Sequence, residues 1–341
     1  MSRVMPYQPQ WIREDFVDFM AEKINPLWAW KKVKAKLVNI EMLSADFYQL
    51  ELQPNNHFNA KAFLAGQSLL VTVQIAGVHQ QRHYSIVKIT ETGNIVIAVK
   101  RQGLLSNALT RLALGSVLEV SQTQGDFNLD NDESTALLLL ASGSGITAIY
   151  ALLQQALKQN TAPIDLLYFS RDHAFDAALA QLAQQHPQFQ YHYFNTIAQP
   201  QHLTLALLEA IVPDFQQRAS YACGAVGMMH SIQEIYQQLG ISARLKQEYF
   251  QVPVDESAEA QSVVFLRAQQ QFSASTNLLS SAEHAGLRPA HGCRMGICNS
   301  CSCIKVSGST KNLLTGEIDH HSNTPIKLCI SQAVSPVVIN L

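Results

Sequence analysis

Residues 136–148 read ALLLLASGSGITA, and this stretch is the strongest indication of fold class in the chain. Residues 136–141 are wholly apolar, which is typical of a parallel strand covered on both faces. A glycine-rich turn follows, and residues 146–159 continue with a helical pattern of apolar side chains. A strand, a tight glycine turn and a helix in this order predict the first unit of a doubly wound α/β domain.

The chain after this unit repeats the alternation of strand and helix. The further expected segments are strands at 164–169, 191–194 and 220–223, and helices at 174–185 and 228–239. We therefore predict a doubly wound domain with a parallel sheet over residues 131–251. The segment after 251 carries a proline and several acidic residues, which is typical of a linker, and a further unit extends from there to residue 341.

The residues before this domain show a different pattern. Short alternating runs at 48–52, 69–73 and 95–99 are separated by glycines, which predicts antiparallel strands. We predict a small antiparallel β-barrel over residues 33–130.

Residues 1–32 resemble neither domain. Apolar residues recur at helical spacing until Pro26, namely Trp11, Ile12, Phe16, Phe19, Met20 and Ile24. Trp28, Trp30 and several lysines follow. We predict a helical arm packed on the body of the protein, with a docking or membrane-surface element as the alternative.

Composition restricts the class of protein. The chain has 341 residues, of which 47% are hydrophobic and 15% charged, as expected for a globular protein of several domains. A net charge of −2 argues against a nucleic-acid partner. Because no window has the length and apolarity of a membrane span and the start lacks the apolar core of a signal peptide, we expect no transmembrane segment and a cytoplasmic protein with reduced thiols.

Four of the six cysteines lie between Cys293 and Cys303. Cys293, Cys298 and Cys301 have the spacing C-x4-C-x2-C, and Cys329 follows further on, which is the plant-type pattern for a [2Fe–2S] cluster. A four-cysteine zinc site usually has two C-x2-C pairs, so zinc is the poorer match. We predict that Cys303 is a small buried residue of a strand at 302–306, with the role of an alternative ligand left open.

The stretch 290–301, AHGCRMGICNSC, resembles a ferredoxin domain fused to the C-terminus of a ferredoxin–NADP reductase-like module. This resemblance implies a multidomain β and α/β protein. It consists of an antiparallel flavin-binding β-barrel, a doubly wound nucleotide-binding domain and a β-grasp [2Fe–2S] ferredoxin domain at 252–341. Cys293, Cys298, Cys301 and Cys329 are the implied metal ligands.

A flavin motif agrees with that resemblance. Residues 82–85 read RHYS and match the family's R-x-Y-S signature, in which the aromatic ring stacks on the isoalloxazine, the serine bonds near flavin N5 and the arginine pairs with phosphate. Residues 99–107 resemble the family's phosphate-binding loop. The implied flavin-binding residues are Arg82, His83, Tyr84, Ser85, Val99, Lys100, Gly103, Leu105 and Ser106. We favour FAD over FMN, although the phthalate dioxygenase reductase group, with the same domain order, uses FMN.

The glycine turn after residue 142 fits G-x-G-x-x-G/A between a strand and a helix, where backbone N–H groups favour a pyrophosphate. Cys223 and Gly224 match the family's C-G-P-x-x-M turn, with alanine in place of proline, and Glu248 and Phe250 resemble its E-x-F. Because an arginine suits the 2′-phosphate, Arg171 favours NADPH over NADH. The implied nucleotide-binding residues are Gly143, Ser144, Gly145, Thr147, Ser170, Arg171, Cys223, Gly224 and Phe250. The implied catalytic residues are Ser85, Cys223 and Glu248.

These motifs together predict a reductase that takes hydride from NADPH and passes single electrons through flavin and cluster to an acceptor protein. The domain order and the arm resemble reductases that serve membrane-bound di-iron desaturases of fatty acids or acyl-CoA. Through such a partner the protein would lie at the inner face of the membrane. The alternatives are a reductase for a Rieske-type or other oxygenase and, in a different class, a redox sensor or binding protein.

Overall fold

The computed structural model describes residues 14–75, 77–130, 135–159, 161–198, 201–250, 252, 258–292, 294–297 and 299–341. Four sheets organise these residues, and the first closes into a barrel. None of the helices in these ranges combines the length and apolarity needed to cross a bilayer.

The barrel has six antiparallel strands in the order β1-β2-β5-β4-β3-β6. The strands are β1 (Val33–Met42), β2 (Phe47–Pro54), β3 (Ser68–Ile75), β4 (Val78–Ile89), β5 (Ile95–Lys100) and β6 (Val117–Val120). Alternate side chains such as Leu37, Leu50, Leu69 and Ile97 fill its interior and are fully buried. The predicted barrel is therefore confirmed.

Helix α1 (Glu14–Ile24) precedes the barrel, and a short helix α2 (Leu104–Leu109) connects β5 to β6. The structure confirms a helix in the predicted arm, which ends before Pro26. The predicted apolar positions Trp11 and Ile12 lie outside the described residues.

The second domain has five parallel strands in the order β11-β10-β7-β8-β9. The elements are β7 (Leu137–Ser142), α3 (Ile146–Gln159), β8 (Ile164–Ser170), α4 (Asp176–Gln185), β9 (Phe189–Asn195), α5 (Leu205–Ile211), β10 (Ala219–Gly224), α6 (Val226–Gln238) and β11 (Leu245–Tyr249). The domain begins at the central strand β7 and continues through β8 to the edge strand β9. It then crosses to the other side of β7, where β10 and β11 follow. The strand order therefore reverses between β7 and β10, which is where ligands bind in such sheets.

The last unit is a mixed five-stranded sheet in the order β13-β12-β19-β14-β17, with a small sheet β16-β15-β18 beside it. The elements are β12 (Gln261–Phe265), β13 (Gln270–Ala274), α7 (Leu278–His284), β14 (Ser302–Ser307), β15 (Thr310–Asn312), β16 (Ile318–Asp319), β17 (Thr324–Lys327), β18 (Ser331–Ala333) and β19 (Val337–Ile339). Strands β12 and β19 are parallel, and α7 packs on the sheet through Leu278, Leu279 and Ala282.

Barrel and parallel-sheet domain share one hydrophobic core. The Phe47 ring of the barrel meets the Phe175 ring edge-on, with centroids 5.9 Å apart. Gly66 has φ +91°, and a Cβ built there would lie 1.9 Å from the carbonyl oxygen of Phe127 and 2.9 Å from the side chain of Leu152. Only glycine permits this approach of the barrel to helix α3. The two domains are therefore fixed relative to one another.

Candidate functional site

A cleft of about 290 Å³ lies where the barrel, the parallel-sheet domain and the last unit meet. Strand β4 and the loop before α2 form one wall, and Ser144, Thr147 and Phe250 come from the second domain. Eleven of the residues implied by the sequence line it: Arg82, His83, Tyr84, Ser85, Lys100, Gly103, Leu105, Ser106, Ser144, Thr147 and Phe250. The flavin motif at 82–85 and the glycine turn after residue 142 are thus brought together across the domain boundary.

Ser85 has a buried hydroxyl that fits a bound ligand. Its side chain is 3% exposed, and among the described residues its Oγ has no hydrogen-bond partner. A buried hydroxyl without a partner loses about 1–3 kcal/mol of solvation that a bound acceptor or donor can restore. A flavin edge in this cleft would supply such a partner.

The neighbouring motif residues are held by the barrel itself. The Tyr84 ring lies in the cleft wall opposite Leu69, and burial raises the pKa of its hydroxyl. His83 Nδ1 lies 3.0 Å from Ser68 Oγ, so this ring is tied to strand β3. Arg82 donates from Nη1 to the carbonyl oxygen of Gln81 at 2.7 Å, which orients the guanidinium along the cleft edge.

The predicted phosphate loop is shaped by Ser106. Its Oγ accepts hydrogen bonds from the backbone N–H groups of Gln102 and Gly103, at 3.1 and 3.0 Å, and donates to the carbonyl oxygen of Gly103 at 3.0 Å. The hydroxyl therefore stabilises the turn itself. Val99 is fully buried in the barrel core and is not among the residues lining the cleft.

A second cleft of about 500 Å³ lies at the carboxyl ends of the parallel strands. Gly143, Ser170 and Arg171, which the sequence resemblance implied as nucleotide-binding residues, line it, and Lys100 and Gln102 line both clefts. Residues outside the predicted binding set also line it, namely Gln102, Ser142, Phe169, Thr196, Gln201, His202, Leu203, Gly227, Met228 and Ser231. They come from strand ends, from helix α6 and from loops, and their meeting depends on strand order, which local sequence does not specify.

Two glycines allow the strand ends at the reversal point to touch. A Cβ on Gly145 would lie 2.0 Å from the carbonyl oxygen of Cys223, and one on Gly224 would lie 2.6 Å from the Cβ of Ser142. Neither glycine lines a cleft; both allow strands β7 and β10 to approach closely at this end of the sheet. Thr147, whose Oγ1 donates to the carbonyl oxygen of Ser144 at 3.0 Å, lies in the first turn of helix α3 at the wall of the first cleft.

Lys100 pairs with the acidic residue next to Arg171 and so leaves the Arg171 side of the second cleft positively charged. Lys100 Nζ lies 2.6 Å from Asp172 Oδ2, so the carboxylate next to Arg171 is paired with the lysine at the end of barrel strand β5. Arg171 is exposed in the second cleft. Of the two acidic residues that follow Arg171 most closely, Asp176 lies 3.0 Å from the hydroxyl of Tyr191. Asp172 and Asp176 therefore each have a partner within the protein.

Cys223 and Glu248, which the resemblance implied as catalytic residues, are neighbours on the adjacent parallel strands β10 and β11, and neither lines a cleft. Burial raises the pKa of the Cys223 thiol well above its usual value. Burial, together with the charge of Asp126, raises the pKa of Glu248 to about 8. Glu248 Oε2 has no hydrogen-bond partner in the described part of the chain. This carboxyl is therefore protonated at neutral pH.

The cysteine loop reaches the first cleft through Met295, which is 9% exposed and lines that cleft with Tyr84, Ser85 and Phe250. Arg294 anchors the loop to α7 through two contacts with the Glu283 carboxylate, of 2.7 and 2.5 Å. No local sequence pattern indicated Met295, because its position in the cleft depends on how the last unit packs against the barrel.

Two of the implied metal ligands can be placed. The Cys301 and Cys329 sulfur atoms are buried and 3.3 Å apart, and they are not joined in a disulfide. A close pair of buried thiols fits two ligands of one metal centre. Cys293 and Cys298 lie outside the described residues. Cys303 lies on strand β14 as predicted, but it is half-buried and not buried as expected, and its Sγ lies 3.9 Å from the carbonyl oxygen of Ile326.

Family models match both larger domains. Residues 34–129 match the oxidoreductase FAD-binding domain, and residues 139–234 match the oxidoreductase NAD-binding domain.

Curated relatives extend the similarity along the chain. An "NADPH oxidoreductase" of Mycobacterium tuberculosis is 29% identical over 93% of this chain and 86% of its own length. A "3-ketosteroid-9-alpha-monooxygenase, ferredoxin reductase component" of Mycolicibacterium smegmatis is 30% identical over 64% of this chain and 69% of its own length.

Among solved structures, phthalate dioxygenase reductase, described as a modular structure for electron transfer from pyridine nucleotides to [2Fe–2S], matches with a TM-score of 0.62 and 22% identity. The match covers 90% of this chain and 97% of that one. This similarity concerns the fold. With the domain matches and the relatives, it leads to one conclusion: the chain belongs to the ferredoxin–NADP reductase family of FAD- and NAD(P)H-dependent oxidoreductases.

Proposed function

We propose that this protein is an NADPH-dependent reductase that passes electrons by way of FAD and a [2Fe–2S] cluster to a separate acceptor protein. The observation that carries this proposal is Met295. It lies between Cys293 and Cys298 in sequence and lines the same cleft as the flavin-motif residues Tyr84 and Ser85. A loop that holds a cluster would therefore be in contact with the flavin site, and transfer between them would not require a second molecule.

The domain boundaries form part of this proposal. We assign residues 1–32 to the arm, 33–130 to the flavin barrel, 131–251 to the nucleotide domain and 252–341 to a β-grasp ferredoxin domain. The mixed sheet with one packed helix, the buried Cys301–Cys329 pair and the C-x4-C-x2-C spacing support the last assignment.

The chain's own residues would act by position. When bound, the nucleotide supplies hydride donation, FAD supplies hydride acceptance and the cluster supplies one-electron transfer. Ser85 Oγ would hydrogen-bond the flavin edge, Tyr84 would cover a ring face and Arg82 would bind phosphate. The raised pKa values of Glu248 and the Cys223 thiol favour their neutral forms, so this pair would add no charge beside the glycine turn that we propose binds the nucleotide.

NADPH is the favoured donor because of Arg171. An acid at the end of the second strand of such a sheet would bind the ribose 2′-hydroxyl of NADH. Here Asp172 forms an ion pair with Lys100 and Arg171 lies exposed in the cleft, so a 2′-phosphate has a cationic partner. NADH stays the alternative donor.

The acceptor has two candidates. The sequence resemblance favours a membrane-bound di-iron desaturase, which we propose as the partner. The relative from M. smegmatis is a monooxygenase component, which favours an oxygenase as the second candidate. Faster NADPH oxidation with membranes that contain a di-iron desaturase, and not with a soluble oxygenase, would separate them. A sensor, in contrast, would not sustain turnover with any acceptor.

The cluster assignment is tested by single cysteine substitutions. Cys329→Ser should lower bound iron and acid-labile sulfide to well below the wild-type content and abolish the electron paramagnetic resonance signal of the reduced cluster. Cys303→Ser is the matched control, because this thiol faces the Ile326 carbonyl, and it should keep full iron content. Iron loss in both variants, or zinc in the wild type, would refute the assignment while leaving the flavin and nucleotide domains intact.

A further inference from the structure

Two acidic side chains hold helix α1 in place, one against the segment that follows the helix and one against the barrel. Asp18 is 5% exposed, and its Oδ1 accepts a hydrogen bond of 2.6 Å from the backbone N–H of Trp30. Glu22 forms an ion pair with Lys34, whose side chain is 6% exposed. Asn55 holds the segment after the helix through the carbonyl oxygens of Leu27 and Lys32, at 3.1 and 3.0 Å. The rotation of the helix on the barrel is therefore fixed.

This orientation turns the apolar side of the helix outward. Four side chains at helical spacing and two tryptophans are each about half exposed or more: Phe16 61%, Phe19 54%, Met20 49%, Ile24 74%, Trp28 54% and Trp30 59%. A surface helix normally buries its apolar stripe against the core. We call these six residues the apolar arm surface. Exposed apolar residues clustered in this way indicate an interaction site, whereas isolated ones do not.

The lysines within and beside this surface indicate what it binds. Lys23 lies in the apolar side of the helix, with its Nζ 5.2 Å from the centroid of the Phe19 ring. Lys31 and Lys32 follow Trp30 and are exposed, and Lys32 also forms an exposed ion pair with Glu119 of the barrel at 3.2 Å, a kind of pair that contributes little and can exchange with other anions. Lysine is depleted in the core of protein interfaces. At a bilayer surface, however, a lysine can extend to the headgroups while its neighbours enter the acyl boundary, where tryptophan is also favoured.

We propose that the apolar arm surface binds the surface of a bilayer that contains anionic lipid. Phe16, Phe19, Met20 and Ile24 enter the headgroup–acyl boundary, and the lysines contact lipid phosphates. This goes beyond the proposed function and does not depend on it, because neither the flavin nor the cysteine loop takes part. The consequence is that the reductase concentrates on the membrane by its own contacts.

The tryptophans offer a direct readout. The chain has three, Trp11, Trp28 and Trp30, and all three belong to the arm in sequence. We expect the full-length protein to pellet with vesicles of phosphatidylcholine and phosphatidylglycerol in equal parts and its tryptophan emission to shift to shorter wavelength. Pure phosphatidylcholine vesicles should bind several-fold more weakly, because lysine attraction to anionic lipid is lost.

Substitutions identify the surface. Phe19→Ser combined with Ile24→Ser should reduce partitioning to anionic vesicles about tenfold or more. The matched control is Leu114→Ser combined with Ile197→Ser, which removes two apolar side chains outside the arm that are 62% and 67% exposed, and it should partition like the wild type. Equal partitioning of both double variants would overturn the proposal. A wild-type protein that fails to pellet with anionic vesicles would also overturn it. That outcome includes a protein that self-associates through the apolar arm surface and one that binds only another protein there.

Discussion

Two serines on paired strands, Ser85 and Ser68, show how the site differs from the rest of the barrel. They face each other in the register of β3 and β4 and are 3% and 2% exposed. Ser68 Oγ lies 3.0 Å from His83 Nδ1, whereas Ser85 Oγ has no partner among the residues described. One hydroxyl thus stabilises the fold, and the other is available to a ligand.

Ser85→Ala should therefore affect activity and not stability. We expect the rate of flavin reduction by NADPH to fall roughly tenfold or more. The free energy of unfolding of the flavin-free protein should stay within about 0.5 kcal/mol of wild type, because no protein hydrogen bond is lost. Stopped-flow absorbance and urea titration measure the two quantities.

Ser68→Ala is the matched control. It removes a hydrogen bond to His83 and should lower the free energy of unfolding by about 1 kcal/mol. If Ser85→Ala lost the same stability and kept its rate of flavin reduction, Ser85 would be a structural residue.

Glu248 predicts a pH dependence of stability. Its pKa is about 8 in the folded protein and about 4.5 in the unfolded chain, so between these values the folded state binds more protons. Stability should therefore fall as pH rises through this window, by up to about 1.4 kcal/mol per pH unit from this group.

Glu248→Gln removes the titrating carboxyl, so the variant does not lose this contribution as pH rises. Its stability relative to wild type should therefore increase between about pH 4.5 and about pH 8. Urea titration at several pH values measures the difference. Parallel stability curves for the two proteins would mean that the carboxyl is ionised in the folded state.

At the scale of elements, the junction of β7 and β10 requires glycine. Gly145→Ala would place a Cβ 2.0 Å from the Cys223 carbonyl oxygen, which is backbone that cannot move freely. We expect a loss of about 2 kcal/mol or more in the free energy of unfolding and weaker nucleotide binding. Thermal unfolding and nucleotide titration measure these effects.

Gly227→Ala provides the comparison at the same end of the sheet. Gly227 lies in α6, and a Cβ there would have no atom within 4 Å. This substitution should leave stability unchanged or raise it by up to about 1 kcal/mol. A similar loss in both variants would show that the close contact at Gly145 is not the cause.

The sequence predicted most elements here because local patterns specify them. Strand β7 and helix α3 were recognisable from apolar runs and a glycine turn. Strand β11 (Leu245–Tyr249) was not, because its LKQEY sequence has weak alternation and its pairing with β10 is long-range. Helix α4 begins at Asp176, two residues later than predicted, because Phe175 adopts a left-handed conformation with φ 67°.

At the scale of the whole molecule, the clefts depend on packing between domains. Motif residues such as Tyr84 and Thr147 were predictable separately, but their meeting in one cleft depends on the shared core around Phe47 and Phe175. Met295 and the Lys100–Asp172 pair join parts of the chain that are distant in sequence, so no local pattern could indicate them.

The central claim is that electrons from NADPH reach an iron–sulfur cluster in the same chain. The most direct measurement mixes the anaerobic protein with less than one equivalent of NADPH and follows flavin absorbance and the cluster's paramagnetic resonance signal over time. The account predicts that the flavin bleaches first and that cluster reduction follows at a rate independent of protein concentration, because Met295 joins the two sites. A cluster that stays oxidised, or is reduced at a rate proportional to protein concentration, would contradict it.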